Sequence, residues 1–264
     1  MKGRVLIIAG SDSSGGAGIE ADIKTVTALG GYAATAITAL TAQDTERVHA
    51  VFPVAPAFVG QAITVVLNDI GADAVKTGML LDAPMIDAVA AALAPASDVP
   101  LVVDPVMVAT SGARLLAADA VDALMRRLIP RAAVLTPNLP EAEALLGAAI
   151  KTLDDMRGAA ARLLALGARA VALKGGHLPG DKLYDLIATP EESFVLEARR
   201  IATRATHGTG CTYASAIAVG LAQGLALRPA VERAHDFVQQ AIRTAPQWGP
   251  GQGPLNHAQG NPDA

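Results

Sequence analysis

Short apolar, β-branched runs alternate along the chain with longer Ala- and Leu-rich stretches whose polar residues recur at helical spacing. The short runs predict strands at 4–9, 33–39, 49–54, 73–78, 100–104, 132–136, 169–174, 182–188 and 193–198. The longer ones predict helices near 18–29, 56–69, 83–94, 116–128, 139–146, 153–166, 209–223 and 229–244, several opening on Pro, Asp or Asn. Helices separate most of the strands, and the strands are almost continuously apolar. That pattern predicts an α/β fold with a mainly parallel central sheet covered by helices on both faces. Residues 182–198 have no helix between their two strands and read as an antiparallel edge hairpin. No internal repeat and no Ser- or Pro-rich linker divides the chain, so residues 1–264 read as a single domain. A Gly- and Pro-rich tail begins near residue 246, and its last residues are expected to be disordered.

In such a sheet ligands bind at the carboxyl ends of the strands, and there the polar residues gather. GSDSSGGAGIEADIK follows the first strand, TAQDT the second, KTGM the fourth, DPVMVATSG the fifth, TPNLPEAE the sixth and KGGH the seventh. Turn chemistry accounts for any one of these loops; six of them together point to one site. With 52% hydrophobic and 17% charged residues the chain can bury a large core, and a net charge of -4 offers no basic field for nucleic acid. A small-molecule partner follows. One cysteine cannot form an internal disulfide, which suits a cytoplasmic protein. The first apolar run is too short for a signal peptide, and the later ones are interrupted well short of the roughly 20 residues that cross a bilayer.

Two nucleotide signatures fail on spacing. Gly16-Ala17-Gly18-Ile19-Glu20-Ala21 matches G-x-G-x-x-A, with Asp44 as a candidate ribose acid, yet GSDSSG intervenes between the strand and Gly16. Gly175 and Gly180 are spaced as in a P-loop, but Asp181 follows and Lys182 arrives one position late. A better anion site is the stretch THGTGC before the apolar helix at 209–223, because a helix start exposes unpaired N–H groups and glycines admit an anion close to them. Cys211 falls in that first turn, where the helix dipole is expected to lower its thiol pKa and make it a candidate base or nucleophile. Otherwise it is a buried small hydrophobe. His207 is too close in sequence to form a pair with Cys211 and is assigned to the loop.

The motifs AGSDSSGGAGIEADIK, TALTAQDT, VKTGML, VVDPVMVATSG, LTPNLPEAE, LKGGHL, THGTGCT and GPGQGPLNH, in this order, resemble the hydroxymethylpyrimidine/phosphomethylpyrimidine kinases of thiamine biosynthesis, within the ribokinase-like superfamily. The likeness covers nearly the whole chain and implies a three-layer α/β/α fold. Asp44, Glu20 and Ala205 depart from the residues usual in that family. The resemblance implies ATP and Mg²⁺, two successive phosphorylations of 4-amino-5-hydroxymethyl-2-methylpyrimidine, and a homodimer. Gln43 would read the aminopyrimidine edge with its planar amide, and Asp22 resembles the family carboxylate that holds the substrate. Gly10, Met79 and Val106 match its apolar walls. Asp104, Asn138, Glu141, Lys174 and Thr206 match the nucleotide contacts, with Asp104 and Glu141 toward the metal. Gly208, Gly210, Cys211 and Lys174 match the catalytic group. Cys211 would take the alcohol proton in the first phosphorylation, whereas the second, with an ionised phosphate as nucleophile, needs no base. Pyridoxal kinase is the nearest rival, followed by a nicotinamide oxidoreductase built on GAGIEA and a non-catalytic pyrimidine sensor.

Overall fold

The computed structural model describes residues 1–108, 112–113, 115–117 and 119–258. The expected disorder of the last residues falls on 259–264, outside the described residues. The strands are β1 (Arg4–Asp12), β2 (Tyr32–Gln43), β3 (Val48–Pro53), β4 (Ala74–Thr77), β5 (Leu101–Val103), β6 (Ala132–Leu135), β7 (Val171–Lys174), β8 (Lys182–Ala188) and β9 (Ser193–Arg199). Among the described residues they form one sheet in the order β3-β2-β1-β4-β5-β6-β7-β8-β9. The six strands from β2 to β7 run parallel.

Both edges are antiparallel. β8 and β9 form the expected hairpin. β3 also runs antiparallel, against β2, which the pattern of apolar residues does not reveal. The reason is length: only residues 44–47 join the two strands, and a parallel crossover needs a dozen or more. Asp44 closes that turn by accepting hydrogen bonds from the backbone of Glu46 and Arg47, both 2.8 Å.

Alternate residues of the central strands feed two separate cores. Leu6, Ile8, Val75, Val103 and Leu135 face helices α2 (Pro56–Asn68), α3 (Ala83–Ala92), α4 (Ala120–Arg127), α5 (Leu139–Leu146) and α6 (Leu153–Leu164). Val5, Ile7, Val102 and Val134 face α1 (Gly18–Ala28), α7 (Thr209–Ala222) and α8 (Leu227–Arg243). Full burial of each such side chain stabilises by about 1.5–3 kcal/mol, which is why the strands are apolar on both faces. The result is the three-layer α/β/α arrangement. One helix is shorter than its sequence suggests: α4 begins at Ala120, because Leu116 and Ala117 pair with Leu81 instead of coiling.

Candidate active site

The carboxyl ends of β1, β4, β5 and β7 and the first turns of α5 and α7 enclose a cleft of about 550 Å³. Gln43, Gly10, Met79, Val106, Asp104, Asn138, Glu141, Lys174, Thr206 and the run Gly208–Cys211 all line it. Thus the topology brings residues from six loops to one space.

The shape of the cleft at the start of α7 follows from local backbone geometry. Gly208 precedes α7 with φ 79°, and a Cβ there would stand 1.8 Å from the carbonyl oxygen of Gly16, so only glycine fits. Gly208, Thr209, Gly210 and Cys211 all line the cleft at this helix start, where Thr209 N donates to Thr206 O at 3.3 Å. A Cβ at Gly210 would lie 3.1 Å from Lys174 Nζ, which places the lysine against that helix start. Lys174 Nζ donates to Asp104 Oδ1 at 3.0 Å, and Thr136 Oγ1 donates to the same oxygen at 3.1 Å. Burial alone would lower the lysine pKa, but Asp104 and Glu141 outweigh it and raise it. The turn behind it is fixed by Asp185, whose Oδ1 accepts from Gly175 N at 3.1 Å while its other oxygen meets His235 Nδ1 at 3.0 Å.

Asn138 and Glu141 make a reciprocal capping box at the start of α5, each side chain accepting the other's backbone N–H at 2.8 Å. Glu141 is nonetheless buried against the cleft, and that burial lifts its carboxyl to about 7 against the pull of Lys174. Among the described residues no group of three or more His, Cys, Asp or Glu side chains could hold a metal alone. The pair Asp104 and Glu141 suits an ion that arrives with a nucleotide: Mg²⁺ keeps several waters and takes one or two carboxylates beside substrate phosphates.

Two expectations need correction. Asp22 does not reach the cleft. It is fully buried beneath it, paired with Lys76 at 2.7 Å and accepting from Ser215 Oγ at 2.7 Å. Lys76 interrupts the apolar strand β4, and its fully buried ammonium takes up the Asp22 carboxylate. Cys211, for its part, lines the cleft half-buried, and its thiol is shifted upward rather than downward. Burial pushes it up to about 12, with Asp22 and Asp104 adding to the rise and Lys76 opposing it.

Sequence reasoning also left out Asp12 and placed His207 merely in a loop. His207 Nε2 lies 2.7 Å from Asp12 Oδ2, and both line the cleft beside Gln43. Burial would raise the Asp12 carboxyl, but His207 and Ser14 hold it below the usual range. The signal was present: a buried strand-end acid in GSDSSGG requires a partner. Of the three departures noted in the motifs, Glu20 accepts from Ser11 Oγ and Asp12 N, Asp44 closes the β2–β3 turn, and Ala205 is a buried apolar residue.

Comparison with known proteins bears on this cleft. The sequence signature of the phosphomethylpyrimidine kinase family spans residues 12–256. The chain belongs to that family. Among its relatives is the hydroxymethylpyrimidine/phosphomethylpyrimidine kinase of Bacillus subtilis, 45% identical over 96% of this chain and 94% of the relative. The thiamine biosynthesis bifunctional protein of Geobacter sulfurreducens is 51% identical over 97% of this chain, which spans only 52% of that longer protein. Among solved structures, an ADP complex of Bacillus subtilis pyridoxal kinase matches with a TM-score of 0.90 and 38% identity, covering 98% of each chain. The phosphomethylpyrimidine kinase of Clostridium difficile matches with a TM-score of 0.82 and 40% identity, over 91% of this chain and all of the other. These likenesses show the ribokinase-like fold.

Proposed function

We propose that the chain is a hydroxymethylpyrimidine/phosphomethylpyrimidine kinase that acts as a single catalytic domain. It transfers the γ-phosphoryl group of ATP first to the hydroxymethyl oxygen of the aminopyrimidine and then to the phosphate so formed. One observation carries the reading: Gln43, a donor and acceptor on one planar amide, lines the same cleft as Lys174 and the glycine-rich start of α7. In each transfer the substrate oxygen forms a bond to phosphorus as the bond to the ADP oxygen breaks. The charge that develops on the transferred group meets Lys174 and the Gly208–Cys211 amides, and such positioning and neutralisation make up most of phosphoryl-transfer catalysis. With Cys211 protonated, the alcohol proton passes to the phosphoryl oxygens rather than to the thiol. Asp104 and Glu141 would hold Mg²⁺, which when bound neutralises the nucleotide phosphates. In this reading Asn138 and Thr206 would contact the nucleotide and Gly10, Met79 and Val106 the pyrimidine; all five line the cleft.

The structural likeness to pyridoxal kinases favours a second reading, phosphorylation of pyridoxal. Measuring kcat/KM with both alcohols under saturating Mg-ATP separates them. The primary reading predicts the aminopyrimidine as the better substrate, and a preference for pyridoxal sinks it.

A homodimer is part of the proposal. Leu40 and Phe52 face each other across β2 and β3, and both are exposed, as is Phe58 on α2. Such an apolar sheet edge favours a second copy of the chain, which sedimentation velocity would reveal as a dimer. A cytoplasmic location fits the single cysteine and the supply of ATP. Among the described residues no helix is long and apolar enough to cross a membrane.

A further inference from the structure

The C-terminal segment lies outside the cleft yet touches the loops on both of its sides. Gly251 N donates to Thr45 Oγ1 at 3.2 Å and Gln252 N donates to Thr45 O at 2.7 Å, two residues from Gln43. On the other side Thr206 Oγ1 donates to the side-chain oxygen of Gln252 at 2.5 Å. Gly253 continues the contact, donating to Arg204 O and accepting from His207 N, both 3.1 Å. Beyond it Leu255 is buried, and His257 Nε2 sits 2.9 Å from Thr212 Oγ1 within the second turn of α7. Gln252 itself does not line the cleft, whereas Gln43, Thr206 and His207 do.

We propose that residues 249–257 form a strap that sets the separation between Gln43 and the amides of Gly208–Cys211, with Gln252 as its central positioning residue. The inference rests on the kinase reading for its catalytic consequence. The turn at 44–47 and the loop at 203–208 are some 160 positions apart in sequence, and in the described residues Gln252 bonds to both, one through its backbone and one through its side chain. Phosphoryl transfer requires the attacking oxygen in line with the leaving group, and a displacement of about 1 Å can cost on the order of 10²-fold in rate. A residue that holds two walls in register can act on the rate without touching either substrate.

The test compares the full-length protein with Gln252→Met, which removes the side-chain acceptor, and Gln252→Glu, which keeps one. Hydrogen–deuterium exchange without substrate is read first. The proposal expects faster exchange in both 44–47 and 203–208 for the Met variant and wild-type exchange for the Glu variant. Faster exchange confined to 247–257 overturns it. Should the Met variant fail to fold, Thr206→Val cuts the same bond from the other side and is read in the same way. Steady-state kinetics follow: kcat falls on the order of 10- to 100-fold in Gln252→Met, KM for ATP moves less than about threefold, and Gln252→Glu recovers kcat. Wild-type kcat in the Met variant, or no recovery in the Glu variant, overturns the positioning role. If the wild-type protein phosphorylates neither alcohol the kinase reading fails, and the exchange experiment still decides the strap.

Discussion

Replacing Cys211 with Ala discriminates sharply between two roles for the start of α7. A general base can contribute roughly 10²- to 10⁴-fold, but only when it is unprotonated near the working pH. With the thiol pushed up to about 12 by burial, the side chain is almost wholly protonated at pH 7.5. The side chain then offers only a weak S–H donor, worth at most the 0.5–1.5 kcal/mol of a neutral hydrogen bond, or about 2- to 12-fold in rate. The backbone amide of residue 211 survives the substitution. Cys211→Ala should therefore slow both phosphorylations by less than about 12-fold and by similar factors. The assay follows each step separately, starting from the alcohol and from its monophosphate, between pH 6 and 9. Iodoacetamide labelling at pH 7.5 supplies an independent check, since a thiol of this kind reacts slowly. Two results would refute the reasoning: a loss in the first step about 100-fold greater than in the second, or a rise of the wild-type rate with pH that the Ala variant lacks.

Three further predictions test other parts of the site. Lys76→Met leaves the Asp22 carboxylate buried without its cation and should lower unfolding free energy by about 3–5 kcal/mol in urea titration; the Lys76→Met/Asp22→Asn double variant should recover much of that loss, and a single variant with wild-type stability would contradict the pairing. Glu141, raised from 4.5 to about 7 by burial, stays protonated in the fold where the unfolded chain is ionised, so stability should fall as pH rises from about 4.5 to 7 and then level. Glu141→Gln should flatten that slope, and an unchanged slope would assign it elsewhere. Gln43→Glu removes the donor half of the amide and should weaken pyrimidine binding by about 1–3 kcal/mol in calorimetry while ATP binding holds; equal loss for both ligands would make Gln43 a structural residue.

Much of this architecture is legible in the chain because a parallel strand buried on both faces must be apolar throughout, as in VLII of β1 and LVV of β5. The Gly and polar loops that follow such strands mark the cleft without further information. The direction of β3 was hidden, since its exposed apolar residues resemble those of a buried strand and only the four-residue turn before it reveals the reversal. The partners of buried charges were hidden too. Asp22 and Lys76 are 54 positions apart, Asp12 and His207 are 195 apart, and no periodicity connects them. Burial likewise decides the protonation of Cys211, and the amino-acid sequence alone shows the helix start but not the enclosure.

The most direct test of two phosphorylations in one cleft is a time course on purified protein with Mg-ATP and the aminopyrimidine alcohol, with each phosphorylated product quantified by mass spectrometry. The account predicts that the monophosphate rises first and is consumed into the diphosphate, with one ADP formed per transfer, and that Lys174→Ala slows both conversions. A monophosphate that accumulates without any diphosphate, or a Lys174→Ala variant that slows only one of the two steps, would contradict it.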